Sequence, residues 1–379
     1  MKRILLTMIL ASATAAYACS SKTDDTNNNQ VTPPDGTEQP GGEVDAGGTP
    51  TEEAGPGDSG PTPTEDPSGN PILLGAPRQV RSFTPAGGAP HFVDGPAWLP
   101  ARSALVVALP FALNNQGGKG ILTTFKADGT NYLEVRAGDD LNTGVIGNSI
   151  DKDGNLISAE LKAITRTAVS AQGLGAVSVV ATGTGDPAAP TPFNTLNDLV
   201  ALDDGTIFAT DPGYRVDPRP ANGYLYMVAP AATVATVAAT YDYNPSPNGI
   251  ALSKDQKTLF VGFTAPPAGT PPFIRKYAIG AGGALTDGGK LVELPVGSEP
   301  DGIAVDDSGN IYVALKTGIA VFKATGEPYG GAGAKIPQTA VDGEPTSLAF
   351  GGADKKSLFI TTKNGRVLEL KTKVAGLLH

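Results

Sequence analysis

Oxygen-bearing side chains recur through this sequence at steps of about fifty residues. They stand in Asp94-Gly95-Pro96, Gly147-Asn148-Ser149, Asn197-Asp198-Leu199, Pro247-Asn248-Gly249, Pro300-Asp301-Gly302 and Glu344-Pro345-Thr346. Carboxylate and amide oxygens are the donors preferred by hard divalent cations such as Ca²⁺ or Mg²⁺. Two carboxylates aimed at one point repel unless a cation lies between them. A cation held by a few such oxygens keeps positions open for water and substrate. Asn-Gly and Asp-Gly are also ordinary turn dipeptides. A single pair therefore decides nothing, whereas a series in phase with a repeat points to a metal or polar-ligand site.

The elements that must bring these residues together are short strands. From Ile72 onward, runs of branched and aromatic residues follow polar turns. Examples are Asp153-Gly154-Asn155-Leu156-Ile157, Asp204-Gly205-Thr206-Ile207-Phe208 and Ser308-Gly309-Asn310-Ile311-Tyr312. The first apolar residue of each run gives Leu105, Leu156, Ile207, Leu259, Ile311 and Leu358, separated by 51, 51, 52, 52 and 47 residues. Six units of that length, each with several strands, are the signature of a β-propeller. Further strands are expected at 223–227, 273–277, 318–322 and 365–369, and Gln79-Val80-Arg81-Ser82-Phe83 is expected to close the ring on the last blade. The fold class is thus all-β, a six-bladed β-propeller over residues 72–379. The oxygen-bearing residues lie 8 to 12 positions before the markers, at the start of each innermost strand, where side chains from all blades face one axis.

The ordered series Asn197-Asp198-Leu199-Val200, Thr210-Asp211-Pro212, Pro247-Asn248-Gly249-Ile250-Ala251-Leu252-Ser253 and Pro300-Asp301-Gly302-Ile303-Ala304-Val305-Asp306 resembles the SMP-30/gluconolactonase/LRE family. Pro345-Thr346-Ser347-Leu348-Ala349-Phe350-Gly351-Gly352 resembles its last-blade segment, and the likeness covers about residues 90–379. The resemblance implies a six-bladed propeller with one divalent cation in its channel and hydrolysis of sugar lactones or phosphoesters. Ca²⁺ is the expected ion, with Mg²⁺, Mn²⁺ or Zn²⁺ as alternatives. Carried over by position, Asp94, Asn248 and Asp301 are the metal ligands. Asn197 contacts metal or substrate through its amide, and Asp301 is also the catalytic base. Asp94 stands where the family generally has Glu. Thr195 stands where sugar-lactone enzymes often have Arg and is placed on the substrate side. Tyr214, Arg215 and Asp217 occupy a Pro-rich loop after Asp211, either capping the channel, with Arg215 contacting substrate, or purely structural. Two readings of function follow: a metal-dependent, lactonase-like hydrolase of a small lactone or ester, or a non-catalytic propeller displayed to bind a ligand or protein.

Other chemistries are disfavoured. His91 is the one histidine before the terminal His379, so a Ser-His-Asp set lacks material. Glu160 and Arg166, flanking a hairpin of the second repeat, read either as channel-mouth residues or, in preference, as a surface or cross-strand ion pair. The net charge of −10 divides unevenly. Residues 1–19 carry +2, residues 20–70 carry eleven acids and one lysine, and the remainder sums to −2. With no basic stripe, nucleic acid is not an expected partner.

The N-terminus reads as an export signal over residues 1–18, with basic Lys2 and Arg3, an apolar run from Ile4 to Ala16, and small residues before Cys19. Cys19 is the single cysteine and the expected lipid attachment point of an envelope lipoprotein at the outer membrane or cell surface. Membrane contact would run through that lipid alone. Residues 19–71 are an acidic Pro/Gly/Thr-rich stretch too poor in apolar residues to fold, a disordered tether spanning on the order of 40 Å. A monomer is expected.

Overall fold

The computed structural model describes residues 72–84, 89–110, 120–137, 144–214, 216–242, 244–264, 267–329, 338–339 and 341–378. The readings for residues 1–71, including the export signal, the tether and Cys19, lie outside these, as does Arg215.

The described residues form six four-stranded antiparallel sheets. In blades 1 to 5 the strands follow chain order from the axis outward. Their inner strands are Asp94–Leu99, Val145–Ile150, Leu199–Ala201, Ser246–Leu252 and Ile303–Val305. Blade 6 is built from Pro345–Gly351, Ser357–Thr362 and Arg366–Thr372, with Leu73–Ser82 as its outer strand. The closing strand pairs Gln79 with Leu368, Arg81 with Val367 and Ser82 with Arg366, so the ring is shut by the segment the sequence indicated. Closure supplies blade 6 with its fourth strand.

All six marker residues stand first or second in the second strand of a blade and are at most 1% exposed. The reason lies in the packing, because one blade cannot bury both of its faces. Six hydrophobic clusters each join two consecutive blades. Between blades 5 and 6, for example, Tyr312 stacks edge-on against Phe350. Between blades 6 and 1, Trp98 lies parallel to Phe359 at 5.8 Å.

Glu160 and Arg166 do not pair with each other. Glu160 is buried and bridges to Arg136 of blade 1, while also accepting the Thr165 hydroxyl at 2.8 Å. Arg166 pairs instead with Asp151 at 3.1 Å. The pleat explains this outcome, since Arg166 sits opposite Ile157 in the ladder and Glu160 opposite Ala163.

Candidate functional site

The inner strands begin irregularly. Register shifts fall at Asp94/Ala97, Val145/Gly147, Pro247/Ile250 and Pro345/Ser347, and such bulges re-aim the side chains at strand ends. The glycines beside the oxygen-bearing residues permit the inner strands to touch. A methyl on Gly249 would overlap the Asp301 carbonyl oxygen, one on Gly302 would overlap Ser347, and one on Gly147 would crowd Asn197 and Asp198. Of these dipeptide glycines Gly95 has a positive φ, at +48°, and its methyl would meet the Ile146 carbonyl. The Asn-Gly and Asp-Gly pairs thus serve close approach between blades.

Asp94, Asn197, Asn248 and Asp301 line one cavity of about 280 Å³, together with Thr195, Glu344 and Lys363. All six blades contribute to its wall. Asp94 accepts the Gly95 amide at 2.9 Å. The backbone N–H of Asn197 donates to the Thr210 carbonyl, and that of Asp301 to the Ala314 carbonyl, both at 2.9 Å. The Thr210 hydroxyl donates at 2.7 Å to the Asn248 carbonyl. The Asn248 side-chain amide donates to the Asp301 carboxylate, leaving its own buried Oδ1 without a hydrogen-bond partner among the described residues.

Burial, and after it the charge of Asp301, push the Asp94 carboxyl well above the usual carboxylate range. Burial pushes Asp301 up to about 7, against the pull of Lys363. Lys363 follows the second strand of blade 6 and pairs with Glu344. Burial works against its charge, but that ion pair and the nearby acids raise its pKa above the ordinary lysine value.

The oxygens do not form a full ring at one height. Asn148 donates to the Gly95 carbonyl and accepts the Ser158 hydroxyl, each at 2.7 Å, so its amide is satisfied within the wall. With Asp198 it borders a second, narrower cavity further along the inner strands. Burial pushes Asp198 up to about 7, although it accepts the amides of Leu199 and Ile250.

Asp211, fully buried, accepts the amides of Asn194, Thr195 and Gly213 at 2.7, 2.9 and 3.0 Å and so fixes the turn leading to Asn197. The Thr195 hydroxyl lines the cavity but donates to the Tyr214 carbonyl. Tyr214 also borders the cavity, whereas His91 lies beside Phe83 in a separate surface hollow. Glu299 and Lys363 are lining residues that the repeat phase did not single out, because neither occupies an inner strand.

Among the described residues no three His, Cys, Asp or Glu side chains group as a metal centre. A cation here would rest on two carboxylates completed by amide oxygens. The donor chemistry fits a hard divalent ion. Two buried carboxyls keep raised pKa values in spite of Lys363, and the orphaned Asn248 Oδ1 is an unused ligand oxygen. Rotation of that amide would exchange its donor and acceptor ends.

A family profile described as the SMP-30/Gluconolactonase/LRE-like region matches residues 114–364. The chain is 26% identical over 198 residues to a gluconolactonase of Zymomonas mobilis, a match covering 48% of this chain and 52% of that protein. It is 31% identical over 179 residues to a pentonolactonase of Haloferax volcanii, covering 46% and 55%. The matches span about half the length of these curated relatives. In fold the chain is similar to regucalcin, a calcium-binding protein of Agrobacterium tumefaciens, with a TM-score of 0.58 and 16% identity over 80% of this chain and 97% of that one. With well over half its length under the family profile, the chain belongs to the SMP-30/gluconolactonase/LRE-like family.

Proposed function

We propose that this protein is a divalent-cation-dependent hydrolase of lactones, with its centre in the cavity lined by Asp94, Asn197, Asn248 and Asp301. The observation that carries the proposal is the convergence of two carboxyls of raised pKa and one unpartnered amide oxygen, from three blades, on a single cavity. The likeness to two curated lactonases supports the reaction class, and the calcium-binding relative supports Ca²⁺ ahead of Mg²⁺, Mn²⁺ or Zn²⁺.

Asp94, Asn248 and Asp301 would hold the cation, with the Asn197 amide beside them. A cation bound there supplies Lewis acidity to the lactone carbonyl and to water. Asp301 accepts a proton from the attacking water on a carboxylate oxygen. Water adds to the acyl carbon, the ring C–O bond breaks, and the ring oxygen takes that proton back from Asp301 to become the hydroxyl of a hydroxy acid. Lys363, ion-paired with Glu344, keeps a positive charge beside these acids. Export and lipid attachment at Cys19 belong to the same proposal, and Cys19→Ser should then release the protein from the membrane fraction.

The test is hydrolysis of a panel of lactones and aryl esters by chelator-treated protein, before and after addition of each of the four cations. Cation-restored turnover of a lactone is the expected result. Absence of turnover across the panel would sink the hydrolase reading, and tight cation binding in that case would leave a ligand-binding propeller.

A further inference from the structure

Charged and apolar side chains are unevenly spread around the wall of the cavity. In the sector of blades 5 and 6 stand Glu299, Asp301, Glu344 and Lys363. In the sector of blades 1 and 2 the lining is Phe92, Ile146 and Leu161 beside the single carboxyl of Asp94. These three belong to none of the six hydrophobic clusters that join the blades. Ile146 lies between Val145 and Ile150, which do pack into the cluster between blades 1 and 2. Hydrocarbon of Ile146 and Leu161 therefore borders the cavity outside the clusters that join the blades.

A polyhydroxylated sugar lactone needs hydrogen-bond partners around its ring, and each hydroxyl buried without one disfavours binding. The neighbouring Thr195 hydroxyl is already committed to the Tyr214 carbonyl. The volume, about 280 Å³, is at the small end for ligand cavities, enough for one ring with a short chain.

We infer that the substrate class is a lactone bearing an alkyl or aryl substituent, its acyl group toward Asp301 and its hydrocarbon against Phe92, Ile146 and Leu161. This rests on the hydrolase reading above and narrows it. Removal of the substituent from water supplies binding that a sugar ring cannot obtain from that wall.

The experiment measures kcat/KM with Ca²⁺ for δ-octalactone, δ-valerolactone and glucono-δ-lactone, which share a six-membered ring. The octalactone is expected to exceed the gluconolactone by about tenfold or more. Leu161→Ala is expected to lower the octalactone-to-valerolactone ratio by about tenfold. Both substrates are assayed on one preparation, so partial folding cancels from the ratio. If Leu161→Ala does not fold, Ile146→Val carries the same test with a smaller expected drop. Faster turnover of the gluconolactone, or a ratio unmoved by the variant, overturns this inference and leaves the hydrolase reading standing. No turnover of any of the three by cation-loaded protein overturns both.

Discussion

Asp94 of blade 1 and Asp301 of blade 5 face one cavity, and the charge of Asp301 adds to burial in holding the Asp94 carboxyl protonated well above the usual range. Burial likewise pushes Asp301 up to about 7. In the unfolded chain both titrate at about 3.9. Between that value and about 7 the unfolded state has lost protons that the folded state retains, so the cation-free fold loses stability as pH rises through this window. A cation replaces the protons and removes the loss. The rise in Tm on adding saturating Ca²⁺ should therefore be larger at pH 8 than at pH 5, as read by thermal unfolding at both pH values. Equal increments would show that the two carboxyls do not take part in binding.

Gly249 makes room for blade 5. Its φ is not positive, so the obstacle to a side chain is the Asp301 carbonyl oxygen, which a methyl would overlap. Gly249→Ala should cost about 3 kcal/mol by forcing blades 4 and 5 apart, and should also weaken cation binding by displacing Asp301. Gly154 offers the contrast. A methyl there meets nothing within 4 Å, and its φ of +79° is the sole obstacle, so Gly154→Ala should cost about 1 kcal/mol and leave cation affinity alone. Denaturant titration and calorimetry on both variants separate the two effects.

The ring is pinned at its closure by Glu369. It accepts the Ser357 hydroxyl at 2.6 Å and pairs with Lys371 at 2.7 Å and with Arg78 of the closing strand. Burial works against the Glu369 charge, but the hydrogen bonds from Lys371, Ser357 and Arg78 outweigh it and hold the carboxyl below the usual range. A depressed carboxyl contributes stability above its unfolded value of about 4.3, and that contribution is lost as pH falls through the lower folded value. Glu369→Gln should cost about 1 kcal/mol at pH 7, a modest figure because the Arg78 side chain is 55% exposed. The deficit should vanish in acid. A deficit that persists at pH 3 would assign it to shape rather than charge.

The blades were legible because each marker, from Leu105 to Leu358, must be buried against a neighbouring blade, and burial at a fixed period is written in residue type. The cavity was only partly so. Asp94, Asn197, Asn248 and Asp301 stand 10 or 11 residues before their markers, whereas Asn148 stands 8 before and drops below the cavity. That shorter offset was the available signal. Lys363 and Glu299 reach the cavity from connecting segments, where phase carries no information. The partner of Glu160 lies on another blade, and a pleat within one hairpin could not reveal it.

The central claim is that Asp94, Asn248 and Asp301 act together on one divalent ion. Calorimetric titration of the chelator-treated protein with Ca²⁺, beside Asp301→Ala, tests it most directly. The parent should bind one ion, and the variant should bind at least about a hundredfold more weakly, as expected when one charged ligand is lost and the other left without its counterpart. Binding of equal strength in parent and variant would contradict the account.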